Sequence, residues 1–108
     1  MKDTLLNEHG GLRTFAIVLD TGDEAMAAIA SFAAARHLRA SQFTAIGAFS
    51  RVVVAYFDWE TKESRKTSIG EQVEGHVRPT LEIVLTETPA HLERHFDPET
   101  GLTLIVTE

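Results

Sequence analysis

The alanine-rich segment from Gly22 to His37 carries the strongest helix signal in the sequence. Alanine has the highest helix propensity, and the larger apolar residues of this segment recur at helical spacing. The residues expected on its buried face are Met26, Ile29, Ala30 and Ala33, with Phe32 beside them. A helix of this kind must bury its apolar face against another element. The segments that flank it therefore decide the fold.

The segment before this helix has the pattern of a strand. Arg13–Asp20 contains an almost continuous apolar run, which predicts a strand buried on both faces. Thr21 and Glu24 have the spacing of a capping box, so we expect Thr21 to be the N-cap of the helix. A strand that leads directly into a helix favours a fold in which the two pack together.

Several further strands are predicted after the helix. Thr80–Thr86 alternates strictly, with Leu81, Ile83 and Leu85 on one face and Thr80, Glu82, Val84 and Thr86 on the other. Gly47 lies inside a predicted strand and indicates a bulge or a close backbone approach. The remaining strands are predicted at Ser41–Phe49, Arg51–Phe57 after a bend at Ser50, Ser64–Ile69 and Leu102–Val106.

The other segments carry weaker patterns. Residues 1–11 are expected to be a polar lead-in, Gly70–Gly75 has no clear pattern, and Pro89–Phe96 is predicted as a short helix that begins at a proline. Strands that follow one another, with helices set apart, are typical of α+β domains. We predict one domain over residues 1–108, with a mainly antiparallel sheet flanked by one long and one short helix.

Composition excludes several classes of protein. The sequence contains ten Lys and Arg and sixteen Asp and Glu, for a net charge of −6. The nearest approach to a basic cluster is Lys62, Arg65 and Lys66, and acidic residues are interspersed among them. Because non-specific DNA affinity comes mainly from cations, we expect DNA binding to be weak or indirect. The chain has no cysteine and no apolar run long enough for a membrane span, and its first residues lead us to expect no signal peptide. A cytoplasmic location is the expectation.

Two histidines are the nearest candidates for a metal site. His91 and His95 have i, i+4 spacing on the predicted short helix, so they share a face there. Zinc-binding helices use this spacing, but a third ligand would have to come from His76 or Glu87. The alternative is a solvated helix face, and neither a metal nor a cofactor is predicted.

Three residues are candidates for a small anion site. Arg78 precedes Pro79, which favours an extended backbone, and strand alternation places His76 on the same face as Arg78. Arginine binds carboxylates and phosphates through two hydrogen bonds, and Arg13 begins another strand. The alternative is structural: a turn leading into a strand, with Arg78 paired to an acid such as Glu74.

No catalytic motif is present. The sequence lacks Gly-x-Ser-x-Gly, a phosphate-binding Gly-x4-Gly-Lys-Ser/Thr loop and Gly-x-Gly-x-x-Gly. No catalytic residue is therefore predicted, and a binding or interaction domain is favoured over an enzyme.

Several segments of the sequence together match one known domain. The most specific is Ala40–Ser50 with its sequel Tyr56-Phe57-Asp58. The other matching segments are Arg13–Glu24, Glu60–Glu63, Glu74–Glu82, Leu85–Glu87 and Phe96–Leu102. Through these segments, nearly the whole chain resembles the plants-and-prokaryotes-conserved (PPC) domain. The resemblance implies an α+β fold that assembles as a homotrimer.

The resemblance also implies a functional class. Plant members carry a separate basic Arg-Gly-Arg-Pro segment that grips the DNA minor groove, and this chain lacks it. Bacterial and archaeal members are usually a lone domain to which DNA binding is attributed. We therefore expect a bacterial-type, homo-oligomeric interaction and regulatory module. Other proteins are candidate partners of such a module, and no contact with a membrane is expected. The alternative is an anion-binding, metal-binding or enzymatic domain with its site at subunit interfaces.

One departure from the family pattern lies between Glu74 and Gly75. Family members have further strands there, with histidines that are the natural metal ligands, and no position of this sequence matches them. Either the chain is an internally shortened homologue that pairs its strands differently, or a segment of the natural protein is missing from the sequence. Strand edges left unpaired by such a loss would favour assembly.

Overall fold

The computed structural model describes residues 1–58, 63–67 and 71–105, with side chains described for 1–55 and 74–105. Its elements follow in the order β1 (Lys2–His9), β2 (Leu12–Asp20), α1 (Ala25–Ala35), β3 (Ser41–Asp58), β4 (Glu63–Thr67), β5 (Glu71–Glu87), a 3₁₀ turn (Ala90–Leu92), β6 (Arg94–Asp97) and β7 (Leu102–Ile105).

The first five strands form one antiparallel sheet in the order β1-β2-β5-β3-β4, and β6 and β7 form a separate hairpin. The α+β prediction is confirmed. Of the two predicted helices, only the long one forms as an α-helix, at α1.

The core lies between α1 and one face of the sheet. Its central side chains are Phe15, Ile17 and Leu19 of β2, Val77, Leu81, Ile83 and Leu85 of β5, and Ala25 and Phe32 of α1. Phe15 and Phe32 meet edge to face, with ring centroids 5.0 Å apart. The predicted alternation of Thr80–Thr86 is confirmed, and the face that is buried carries Leu81, Ile83 and Leu85. By contrast, the prediction that β2 is buried on both faces is wrong, because Ala16 and Val18 are only half-buried.

The helix begins three residues later than predicted. Glu24, not Thr21, is the N-cap: its carboxylate accepts hydrogen bonds from the backbone N–H groups of Met26 and Ala27. The Thr21 hydroxyl instead donates to the carbonyl of Pro79. Ala30, expected on the buried face, is exposed. The helix buries Ala25 and Phe32 and packs Ala28 and Ile29 against the core.

Long-range pairing extends several strands beyond their predicted limits. The lead-in of residues 1–11 is largely β1, which pairs with β2 across the turn at Gly10 and Gly11. The two strands predicted around Ser50 are one strand, β3, with register shifts between Gly47 and Arg51. The segment without pattern at 70–75 is mostly the beginning of β5.

Two outcomes concern the C-terminal half of the chain. The prediction of a short helix over Pro89–Phe96 is wrong. A single 3₁₀ turn precedes β6, and the residues of β6 pair with those of β7. The junction of Glu74 and Gly75 lies inside β5, where these residues pair with Val53 and Val52 of β3. Internal shortening at this junction stays a prediction.

Candidate interaction surface

Arg13, a predicted anion ligand, is engaged with a carboxylate of this chain. Its Nε lies 3.1 Å from Glu87 Oε1 and its Nη2 lies 3.4 Å from Glu87 Oε2. The same guanidinium donates to the carbonyl of Arg36 at 2.9 Å. The hydrogen bond from Arg13 holds the pKa of Glu87 below its ordinary value, although burial opposes this shift. The pair therefore ties the start of β2 to the end of β5.

The loop before α1 is joined to β5 by backbone and side-chain hydrogen bonds. Gly22 donates to the carbonyl of Val77, and Val77 donates to the carbonyl of Asp23. Glu24 accepts a third backbone hydrogen bond, from Gly75 at 2.9 Å. Burial favours the neutral form of Glu24, but its three backbone donors and nearby His76 outweigh this, so the pKa of Glu24 is lowered.

His76, the second predicted anion ligand, lies among carboxylates. Its Nε2 is buried, lies 3.7 Å from Glu74 Oε2 and has no hydrogen-bond partner among the described residues. Arg51 Nη2 lies 3.8 Å from the same oxygen. Glu24 faces His76 across an isolated bridge. Two acids beside this imidazole make the site electrostatically unfavourable for an anion.

Arg78, the third candidate, is exposed on β5 and lies two residues beyond His76. The peptide bond between Arg78 and Pro79 is cis. No ion pair of Arg78 with Glu74 is present among the described residues. Arg13 lies at the opposite end of β5 from this pair, because its partner is Glu87. The three candidates therefore do not converge on one site, and their role as anion ligands stays a prediction.

The histidine pair also lacks the geometry expected of it. His91 lies in the 3₁₀ turn and His95 in β6, so the two do not share a helix face. Glu87, one of the proposed third ligands, is occupied by Arg13. Across residues 1–58, 63–67 and 71–105, no group of three or more His, Asp or Glu side chains is arranged to hold a metal.

The face of the sheet opposite α1 presents a regular array of small and β-branched side chains. Register fixes its rows, because directly paired residues of an antiparallel sheet point to the same face. We call this array the open face. It consists of Thr14, Ala16 and Val18 of β2, Thr86, Val84 and Glu82 of β5, and Gln42, Thr44 and Ile46 of β3.

The centre of the open face is apolar and accessible. Ile46 is 74% exposed and Val84 is 47% exposed. A shallow trough of about 330 Å³ runs along the array and is lined by Ala16, Val18 and these two residues, among others. Contiguous exposed apolar surface on a soluble domain is typical of an interaction site.

One row of the open face carries both signs of charge. Val18 pairs with Lys2 of β1 on one side and with Glu82 of β5 on the other. Glu82 in turn pairs with Ile46 of β3, which completes the row. A cation and an anion therefore flank an apolar residue in the same row. Sequence alternation placed Glu82, Val84 and Thr86 together on one face, but only the position of α1 shows which face of the sheet is left accessible.

Within the described ranges, no helix is long and apolar enough to cross a membrane.

The fold and this surface define a small α+β domain with one covered and one accessible sheet face. A scan against protein-family models matches residues 6–86 to the Plants and Prokaryotes Conserved (PCC) domain, the family also abbreviated PPC. The chain belongs to this family. The match includes the junction of Glu74 and Gly75, and the resemblance found in the sequence is confirmed.

Solved structures share the fold at low sequence identity. A plant- and prokaryote-conserved protein from Pyrococcus horikoshii has a TM-score of 0.77 and 19% identity, covering 99% of this chain and 96% of that one. A metal-containing protein from Archaeoglobus fulgidus has a TM-score of 0.71 and 24% identity, covering 99% and 100%. A "putative DNA-binding protein" from Ralstonia eutropha has a TM-score of 0.66 and 18% identity, covering 87% and 91%. Among curated proteins, no significant match was found.

Proposed function

We propose that this chain is a homo-oligomeric interaction and regulatory module, and that it assembles as a trimer through the open face. The observation that carries the proposal is the exposure of Ile46 and Val84 on an ordered sheet face. Burying such apolar surface stabilises an assembly by about 25 cal/mol for each Å² removed from water. A second copy of this chain is the proposed occupant.

Charge supports a second copy as the occupant. The open face presents Lys2 and Glu82 in one row around Val18, so it can accept a different surface of another copy that carries both signs of charge. A cyclic trimer also needs two different surfaces on each copy, since its interfaces are heterologous. The β6–β7 hairpin offers a second apolar surface, where Phe96 is 67% exposed and Ile105 is 49% exposed.

Charge argues against DNA as the primary partner. The chain has a net charge of −6. Several arginines pair with acids of the same chain: Arg13 with Glu87, Arg36 with Asp3, and Arg39 with Glu93. Cations already paired in this way contribute little to the release of counterions from DNA. DNA binding, which the name of the Ralstonia protein suggests for that protein, would be weak or indirect here.

A single introduced cysteine tests the interface, because the chain has no cysteine of its own. Ile46→Cys places a thiol on the open face, and Ala34→Cys places the matched control on the exposed side of α1. We expect a maleimide to label position 34 rapidly and position 46 slowly at micromolar protein. Dilution that dissociates the assembly should restore labelling at position 46. Equal rates at both positions at every concentration contradict an interface at the open face.

Charge insertion tests the same interface through mass. Ile46→Glu and Phe96→Glu are expected to lower the sedimentation mass, because each would bury an unpaired charge between copies. Ala34→Glu adds the same charge on the helix surface and should leave the mass unchanged. If Ile46→Glu retains the wild-type mass, the open face is not the interface. If only Phe96→Glu retains it, the hairpin is not the second surface.

A further inference from the structure

A cavity of about 450 Å³ lies between α1 and the helix-side face of β3. It is separate from the open face, which lies on the other side of the sheet. Because α1 packs mainly over β2 and β5, the beginning of β3 is left only partly covered, and Phe43 is 44% exposed. This volume falls within the range of small-molecule sites in proteins.

The walls of the cavity are apolar apart from one cation. The principal lining residues are Met26 and Ile29 of α1, Phe43, Ala45 and Phe49 of β3, and Arg94 of β6. Of the described residues that line it, Arg94 alone is charged. Small-molecule sites typically combine such apolar walls with a few polar groups that orient the ligand.

Arg94 is held in place by its own hairpin. Its Nε and Nη2 both donate to the carbonyl of Thr103, at 3.1 Å and 2.5 Å. A guanidinium has five N–H donors, so these two bonds leave donors at Nη1 and Nη2. The neighbouring acid, Glu93, is paired with Arg39 at 2.6 Å. That pairing reduces the competition of Glu93 for Arg94.

We propose that this cavity binds a small monocarboxylate with an apolar chain or ring, whose carboxylate pairs with Arg94 while its apolar part contacts Met26, Ile29 and Phe43. A guanidinium matches a carboxylate with two parallel hydrogen bonds, and the apolar walls favour a hydrocarbon body. A fully polar anion such as phosphate would leave these walls exposed to water. The site differs from the one predicted at Arg13, His76 and Arg78.

Methionine methyl NMR is the most direct test, since the chain has only two methionines. Met26 lines the cavity, whereas Met1 is not among the described residues that line it. Titration of the full chain with octanoate should shift the Met26 methyl signal and leave the Met1 signal in place, with a Kd below about 1 mM. Phenylacetate, as the ring-containing arm, should shift the same signal. An unchanged Met26 signal up to 10 mM of either acid, a concentration about ten times the expected Kd, overturns the proposal.

Head-group controls separate carboxylate recognition from adventitious apolar binding. Octan-1-ol has the same chain without the charge, octylamine reverses the charge, and inorganic phosphate has the charge without the chain. Each should bind at least about ten-fold more weakly than octanoate, which corresponds to a loss of about 1.4 kcal/mol. Octan-1-ol binding as tightly as octanoate refutes the assigned role of Arg94.

Three variants complete the design. Arg94→Gln should weaken octanoate binding by about ten-fold or more, because a charged hydrogen-bond donor is lost. Ala45→Leu should weaken it comparably by filling the cavity. Arg51→Gln, at an arginine whose side chain is 69% exposed, removes a charge elsewhere and should leave binding unchanged. Wild-type affinity in Arg94→Gln, with the fold intact by circular dichroism, contradicts the proposal.

Discussion

Glu24 offers the sharpest test of how the fold is held together. Its carboxylate caps α1 through Met26 and Ala27 and also accepts the N–H of Gly75, a buried residue of β5. Loss of an N-cap side chain costs about 1 kcal/mol. A buried N–H left without an acceptor costs about 1–3 kcal/mol. We therefore expect Glu24→Ala to lower the free energy of unfolding by about 2–4 kcal/mol at pH 7.

A comparison with Glu24→Gln isolates the contribution of the charge. Because the pKa of Glu24 is lowered in the folded state, its ionised form adds stability above the ordinary glutamate pKa of about 4.3. This stability is lost as the pH falls through the lowered value. The difference between wild type and Glu24→Gln should therefore be present at pH 7 and shrink progressively below about pH 4.

Urea unfolding at a fixed protein concentration measures both effects, since assembly makes apparent stability concentration-dependent. Glu8→Ala, at an exposed acid of β1 that is not part of the open face, is the control and should change stability by less than about 0.5 kcal/mol. The reasoning is refuted if Glu24→Ala stays within 0.5 kcal/mol of wild type at pH 7, a change typical of a neutral surface substitution. It is also refuted if the Glu24→Gln difference is the same at every pH.

Three further predictions concern packing, an ion pair and DNA. Gly47→Ala should destabilise the fold by about 1–3 kcal/mol in urea unfolding, because a Cβ would overlap the carbonyl oxygen of Thr80 and lie 2.8 Å from Leu81 Cα; wild-type stability would contradict this close approach. Arg13→Ala and Glu87→Ala should show a coupling energy of about 0.5–3 kcal/mol in a double-mutant cycle, and simple additivity would show that the pair contributes nothing. A gel-shift titration should find no submicromolar binding of duplex DNA near physiological salt; tight binding with a steep salt dependence would mean that the charge argument is wrong.

The sequence was sufficient for the elements that bury apolar side chains. Strict alternation placed Leu81, Ile83 and Leu85 together on one face of β5, which is the face that the structure buries, and alanine content located α1. Gly47 was correctly predicted to mark a bulge or close approach, since a register shift follows it and backbone atoms of β5 lie against it. These signals depend only on residues close together in the chain, so a single sequence is enough to detect them.

Elements defined by pairing could not be predicted in this way. All eight residues of β1 are exposed, so this edge strand has no buried face to produce alternation. The beginning of β5 is a strand because it pairs with β3, although its own pattern is weak. Glu24 is the N-cap because a long-range hydrogen bond from the Gly75 N–H fixes its carboxylate, while the Thr21 hydroxyl donates to the carbonyl of Pro79.

The predicted sites depended on distances in space between side chains, which the spacing of residues along the sequence does not determine. His91 and His95 would share a face only on a helix, and β6 replaces that helix because Arg94–Asp97 pairs with β7. Arg13 forms an ion pair with Glu87, which lies 74 residues away in the sequence. The open face and the cavity near Arg94 follow from where α1 lies on the sheet, which no local pattern determines.

The measurement that tests the central claim most directly is the mass of the wild-type protein in solution by light scattering coupled to size exclusion. The chain has a mass of 11.9 kDa. Assembly through the open face predicts one symmetric peak with the mass of three chains at micromolar concentration, and Ile46→Glu should shift it toward the mass of one. A wild-type protein that elutes as a stable, monodisperse monomer at all concentrations would contradict the account.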